Sequence, residues 1–300
     1  MRSHLLLATV LVAAVTSRET PAQFVADFHP FPVVAHTAGA GNPPTFWKSD
    51  VFVYNPGDSV LTIGFRFFPT GQANTFDGTF PVTRVLGANE SLRIEDIVAT
   101  MFGFTGNQKG ALIVSCSPKT FPTNPAGSRI VATTRNYNTG SSLGTFGQDI
   151  PSCLFYWNSS KELSVSTGGQ QDEQFRTNMG IASFSPKPIT VWYRIRNARG
   201  LVVANGSEPI QPYSMGQWSL ASLGVTNQTG PLTAEFWLDP DDVTPDPCSE
   251  PDRTNVFVAY LSKVDGNPNG TGDGDHLYAI PSTVPPAILS CPGSPYGTGP

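Results

Sequence analysis

Charge is scarce in this sequence. Asp, Glu, Lys and Arg make up 14% of its 300 residues, against about a quarter in ordinary soluble domains. No cluster of lysines and arginines occurs, and the formal net charge is −5. That argues against a nucleic acid or an anionic membrane as partner, since either needs a basic patch. Catalytic signatures are missing too. The chain has no HExxH, no GxSxG and no phosphate-binding glycine loop, so metalloprotease, serine hydrolase and nucleotide chemistry lose their usual marks. No CxxC or Cys/His spacing suggests zinc. After residue 15, no apolar run is long enough to span a bilayer as a helix.

Turn formers and aromatics are plentiful. The chain holds 29 glycines and 28 prolines, with 39% hydrophobic and 11% aromatic residues. Many turns, few long helices and too many aromatics for disorder point to an all-β protein with elaborate loops.

The first 22 residues read as an export signal. Arg2 and His4 precede the apolar run Leu5–Val15, and Thr20 and Ala22 stand as the small residues of a cleavage site. Cleavage is expected after Ala22, with Ser17 as the alternative. Losing Arg2, Arg18 and Glu19 leaves 16 basic and 22 acidic side chains. The mature chain is expected to be secreted, periplasmic or on the cell surface. Its four cysteines, Cys116, Cys153, Cys248 and Cys291, suggest disulfides in that setting.

The most informative feature is internal repetition. Six segments recur in order at offsets of about 120 to 130 residues. "FWKSDVFVYNP" (46–56) matches "QFRTNMGIASF" (174–184), and "LTIGFRFF" (61–68) matches "ITVWYRIR" (189–196). "SLRIEDI" (91–97) matches "QWSLASL" (217–223), and "GALIVSC" (110–116) matches "GPLTAEF" (230–236). "IVATTRNYN" (130–138) matches "VFVAYLSKV" (256–264), and "GQDIP" (147–151) matches "LYAIP" (277–281). Alternation with a period of two marks half-buried strands. Leu61, Ile63, Phe65 and Phe67 form one buried row, and Ile189, Val191, Tyr193 and Ile195 another. "SDVFVYNP" and "ALIVS" are apolar on both faces, as central strands or strands facing another domain would be. One short helical turn per half is expected, within 94–102 and 219–224. Trp47 and Trp218 read as core residues.

Short strands punctuated by turns read as β-sandwiches. The expected fold is all-β, with two tandem immunoglobulin-like sandwiches. They span residues 23–151 and 170–291, joined by a linker or bridging strand over 152–169 and followed by a tail over 292–300. The repeat favours disulfides Cys116–Cys153 and Cys248–Cys291, each within one half.

With the repeat in view, the chain resembles secreted bacterial tandem β-sandwich proteins of unknown function. The order W-x-SDV-x-V-x-NP, GALxVxS and a closing IP in the first half carries the resemblance. In the second half, "FRTNMGIASFS" and "AYLSKVDGNPNGTGDGDHLYAIP" are similar to the pattern FR-x-N-x-G-x-x-N and (A/Y)S-x-VDN-x-SGD-x-x-Y-x-P. Ser262, Val264, Asp265, Gly272, Asp273, Tyr278 and Pro281 match it, while Gly266 replaces an Asn. The resemblance covers most of the mature chain and implies no catalytic residue.

Two clusters could carry chemistry. Asp265, Asn267, Asn269, Asp273 and Asp275 place hard oxygen donors at calcium-loop spacing. His276 stands where an EF-hand needs its bidentate Glu, so a polar hairpin is the default and calcium the one cofactor to consider. Trp192, Arg194 and Arg196 share the outer row of a strand, as a binding patch for glycan or protein would. The expected function is a non-enzymatic exported binding or structural module of a bacterial cell exterior, with an extracellular protein or glycan as partner. A carbohydrate-binding module is the first alternative and a secreted hydrolase the second.

Overall fold

Alternating burial along the strands builds two β-sandwiches. The structure is a computed structural model that describes residues 24–39, 45–140, 144–159, 161–243, 255–265 and 274–281. The expected leader, Cys248, Cys291 and the candidate calcium donors Asn267, Asn269 and Asp273 lie outside these residues.

The first half contains β1 (Val25–Ala26), β2 (Phe28–Gly39), β3 (Thr45–Tyr54), β4 (Leu61–Pro69), β5 (Val82–Leu86), β6 (Ser91–Ile94), the helical turn α1 (Ile97–Thr100), β7 (Gln108–Ser115), β8 (Ile130–Asn138) and β9 (Phe146–Pro151). The second contains β10 (Ser164–Gln171), β11 (Phe175–Ser183), β12 (Ile189–Arg196), β13 (Val202–Ile210), β14 (Met215–Ser219), β15 (Gln228–Leu238), β16 (Phe257–Asp265), β17 (Gly274–Tyr278) and β18 (Ile280–Pro281). The helical turn expected in the second half is a 3-10 turn over Leu220–Leu223. The segment expected to link the halves runs into β10, the first strand of the second sandwich.

The pairing scheme repeats. In the first half β3 pairs β6 and β8, β8 pairs β9, β7 pairs β2 and β4, and β4 pairs β5. In the second, β11 pairs β14 and β16, β16 pairs β17, β15 pairs β10 and β12, and β12 pairs β13. Five of the six segment matches therefore fall on strands with the same neighbours, and the sixth is divided between β17 and β18. One difference is β2. It pairs β7 over Phe28–His36 and β3 over His36–Gly39, with an irregularity between Phe31 and Val34, and so joins both layers of the first half into one nine-stranded sheet.

Register corrects two of the matches. Asp50 pairs Arg135, and its counterpart Asn178 pairs Ser262. Ile130 thus corresponds to Phe257, one residue beyond the Val256 of the sequence match. Likewise Thr134 pairs Ile150 while Leu261 pairs Leu277, so Ile150 corresponds to Leu277 and not to Ile280. The closing Ile-Pro is not a shared feature: Ile280 and Pro281 form a separate short strand against Val165 and Ser164.

Burial resolves into three cores. Leu61, Ile63, Phe65 and Phe67 meet Leu112, Val114 and Ile97 inside the first sandwich. Ile189, Val191, Tyr193 and Ile195 meet Phe236, Leu220 and Leu261 inside the second. A third core lies between the halves, where Phe28, Phe68, Ala111 and Ile113 meet Ala182, Phe184, Met215, Val258 and Tyr260. The two-faced "ALIVS" strand is explained by this arrangement: Leu112 and Val114 face inward, while Ala111 and Ile113 face the other sandwich. Trp157, just past the 3-10 turn Leu154–Tyr156 of the connecting segment, is fully buried there. Its ring lies edge-on to Phe28 at 6.3 Å and stacked on Phe184 at 5.5 Å.

The expected Cys116–Cys153 disulfide is absent, and both residues are buried free thiols. The reason is the period of two on β7. It carries Cys116 along the row of Leu112 and Val114 into the first core, while Cys153 packs in the core between the halves. Burial pushes the Cys116 thiol up to about 12 and raises Cys153 as well, so neither is a reactive thiolate.

Candidate functional site

The sheet β14–β11–β16–β17 has one face on its own core and the other toward the first sandwich. Along that outer face its character changes. Ala182 and Val258 are paired neighbours at one end, then Gly180 and Tyr260, then Asn178 and Ser262, then Arg176 and Val264. The first-half strand β7 shows the same gradient, from Ile113 and Ala111 to Lys109. The apolar ends close into the third core. The polar ends leave a cavity of about 290 Å³.

Both halves line it. From the first come Val33, Ala35 and Thr37 on alternate positions of β2, with Trp47, Lys109, Asn136 and Gln148. From the second come Arg176, Asn178, Gln217, Ser219, Tyr260, Ser262, Val264 and His276. Trp47, expected in a core, is therefore a cavity residue. Gly39 makes its placement feasible: a Cβ there would fall 2.9 Å from the Trp47 Nε1. Gly180 does the same for Tyr260, whose ring carbons would lie 2.0 to 2.4 Å from a Cβ at that position.

Hydrogen bonds tie the rim across the two halves. Gln148 Nε2 donates to the Lys263 carbonyl at 3.0 Å, and Ser262 Oγ donates to Gln148 Oε1 at 2.9 Å. Lys109 Nζ donates to Gln217 Oε1 at 3.1 Å, and Tyr278 donates to the Pro151 carbonyl at 2.7 Å. Asn74 adds bonds to the carbonyls of Pro212 and Tyr213, each 2.9 Å. These contacts fix the geometry of the two walls.

Several polar groups of the lining residues have no protein partner among the described residues. They are Arg176 Nε, Tyr260 Oη and both ring nitrogens of His276. His276 packs against Tyr260 at 4.4 Å and Tyr278 at 4.6 Å, centroid to centroid. Its nitrogens are shut off from solvent, and burial pushes its pKa down to about 3. Burial also lowers the pKa values of Lys109 and Arg176. Neither cation has a carboxylate partner among the described residues. Buried polar groups are ordinarily bonded and buried charges paired. The cavity walls hold unpartnered polar atoms beside two half-buried cations without a counter-charge.

Other charged clusters are internally satisfied. Asp50 accepts from Arg93 Nη2 at 2.8 Å, from the Tyr137 hydroxyl at 3.0 Å and from the Asp96 backbone N–H at 3.0 Å. Asp96 in turn meets His36 at 2.9 Å and Lys48 at 3.1 Å, from a left-handed backbone with φ of 48°. This network pins α1 to β3. On the outer face of the second sandwich, the Trp192 and Trp237 rings lie parallel within 10°, their centroids 6.5 Å apart. The Trp192 indole N–H donates to Asp239 at 2.7 Å, and Glu235 bridges Arg194 and Arg196. Trp192, Arg194 and Arg196 thus share a face, as the alternation predicts, but their polar groups are already engaged. Asp275, one of the residues weighed as calcium donors, pairs with Lys263 at 3.0 Å. Among the described residues no three His, Cys, Asp or Glu side chains gather as a metal site.

The cavity residues were not legible as a site, because each polar member alone reads as a solvent-facing strand position. One signal was present. In "FRTNMGIASF" the row Arg176, Asn178, Gly180, Ala182 changes from polar to apolar along one face, which a strand facing bulk water has no reason to do.

No described helix is long and apolar enough to cross a membrane. No family model and no curated protein matches the chain. Among solved structures it is similar to a candidate secreted protein of Parabacteroides distasonis ATCC 8503, at 10% identity and TM-score 0.20, over 83% of this chain and 85% of that one. A candidate β-galactosidase of Bacteroides fragilis follows at 9% identity and TM-score 0.15, covering 78% of this chain and 31% of its own. A β-glucuronidase of Bacteroides uniformis stands at 13% identity and TM-score 0.17, covering 83% of this chain and 26% of its own. The chain thus spans less than a third of either glycosidase, and at these scores the likenesses assign it no chemistry.

Proposed function

We propose that the protein is an exported, non-enzymatic binding module of a bacterial cell exterior, with its ligand site in the cavity between the two sandwiches. One observation carries this reading. Arg176, Tyr260 and His276 line the cavity, and each carries a buried hydrogen-bonding atom with no protein partner among the described residues. Such atoms are costly unless something else engages them. The lining contains no carboxylate among the described residues, which supports binding over the paired-carboxylate chemistry of a glycoside hydrolase. Export rests on the reading of residues 1–22 as a leader.

The test is a thermal-melting screen of small sugars and organic acids on wild type and Asn178→Phe. Asn178 lies on the cavity wall, where phenylalanine fills space without entering a core. Compounds that raise the wild-type midpoint are expected to leave Asn178→Phe unmoved. A shift of equal size in both proteins would place the ligand elsewhere.

A further inference from the structure

The composition of the cavity also narrows the chemistry of its ligand. Lys109 and Arg176 come from different halves, and both line the same space. Lys109 meets only the neutral Gln217 amide, and the Arg176 Nε meets nothing among the described residues. A neutral guest would leave both half-buried cations without a counter-charge, whereas a carboxylate supplies one and suits the guanidinium fork. The rest of the polar lining is neutral and includes Asn178, Gln217 and Ser219. Donors and acceptors of that kind match hydroxyl groups. Trp47 adds an aromatic ring to the lining. The volume sits at the lower edge of ligand pockets, which run from about 300 Å³ upward, so the guest is small.

We infer that the cavity takes a hydroxylated carboxylate of monosaccharide size, an acidic sugar, whose carboxylate is held by Arg176 and Lys109 together. This rests on the cavity being the ligand site. Because the two cations belong to different sandwiches, the bound ligand bridges them.

Uronates and their parent hexoses differ only in carboxylate against hydroxymethyl, so they isolate the charge. The experiment is calorimetric titration of the full mature chain with D-galacturonate, D-glucuronate, D-galactose, D-glucose and inorganic phosphate. At least one uronate is expected to bind at least tenfold tighter than its parent hexose. Arg176→Gln and Lys109→Gln should each cost at least tenfold in uronate affinity, while Arg176→Lys retains part of it. Circular dichroism melts of the variants separate a lost contact from a lost fold.

Equal binding of uronate and hexose, abolished in Asn178→Phe, would overturn the acidic-sugar assignment and leave the cavity as the site. Uronate binding that survives Asn178→Phe would overturn the site itself. Phosphate binding as tight as uronate would refute recognition of the hydroxyls. Absence of binding by either uronate would refute the inference outright.

Discussion

Replacing Trp157 with alanine is expected to lower the unfolding free energy by about 3–5 kcal/mol, the range for a fully buried large aromatic. The indole fills the core between the sandwiches and touches Phe28 from the first and Phe184 from the second. Removing it opens a cavity that neither rigid sheet can collapse to fill. Trp192→Ala is the control. Trp192 is 38% exposed on the outer sheet, so its loss gives up the Trp237 contact and the Asp239 bond without opening a core cavity and is expected to cost clearly less than that of Trp157. Urea unfolding of the two variants measures the contrast. Equal losses would mean that the halves are not held by a packed core.

Acid is expected to destabilise the protein well above the range where carboxylates titrate. His29 is buried, with Nε2 at 2.9 Å from the Ile130 carbonyl, and its pKa is pushed down to about 4. His276 is pushed down to about 3. Both are neutral in the folded chain, whereas an unfolded histidine takes up a proton near pH 6.5. Stability is therefore full above pH 6.5 and falls as pH drops toward 4 for His29 and 3 for His276. Each contributes a slope of about 1.4 kcal/mol per pH unit in that window. At pH 4.5 the pair together removes about 5 kcal/mol. Asp27 acts in the opposite sense, because burial raises its carboxyl pKa and the folded chain protonates first. Denaturant unfolding between pH 7.5 and 4.5 measures the sum. His29→Gln and His276→Gln should each take away one proton's worth of slope. A flat profile between pH 7 and 5 would contradict the neutral burial of both rings.

The parts legible in the sequence were those written in a period of two. Rows such as 61/63/65/67 and 189/191/193/195 announce strands, and their recurrence at matched spacing announces the duplication. Fine register was not legible, because sliding Ile130 from Val256 to Phe257 leaves an equally apolar match. Only the hydrogen-bonded neighbours decide it. The cysteines misled because spacing within a half says nothing about which core a strand faces. Cys116 turns into the first sandwich, and Cys153 turns to the space between the two.

The site was hidden for a different reason. Its residues range from Val33 to His276 and meet only when two outer sheet faces come together. An outer face that is polar at one end and apolar at the other is the trace of this arrangement in the sequence. The apolar end excludes water and sets the distance between the sheets. The polar end, held open at that distance, becomes a cavity with two cationic walls. Fold and site thus share one cause, the gradient along β7, β11 and β16.

The most direct test is a crystal structure of the mature protein grown with the tightest-binding uronate. Ligand density is expected in the space between the sandwiches, with the carboxylate within hydrogen-bond reach of both Arg176 and Lys109. Density on the Trp192–Trp237 face, with the cavity between the halves unliganded, would contradict this placement.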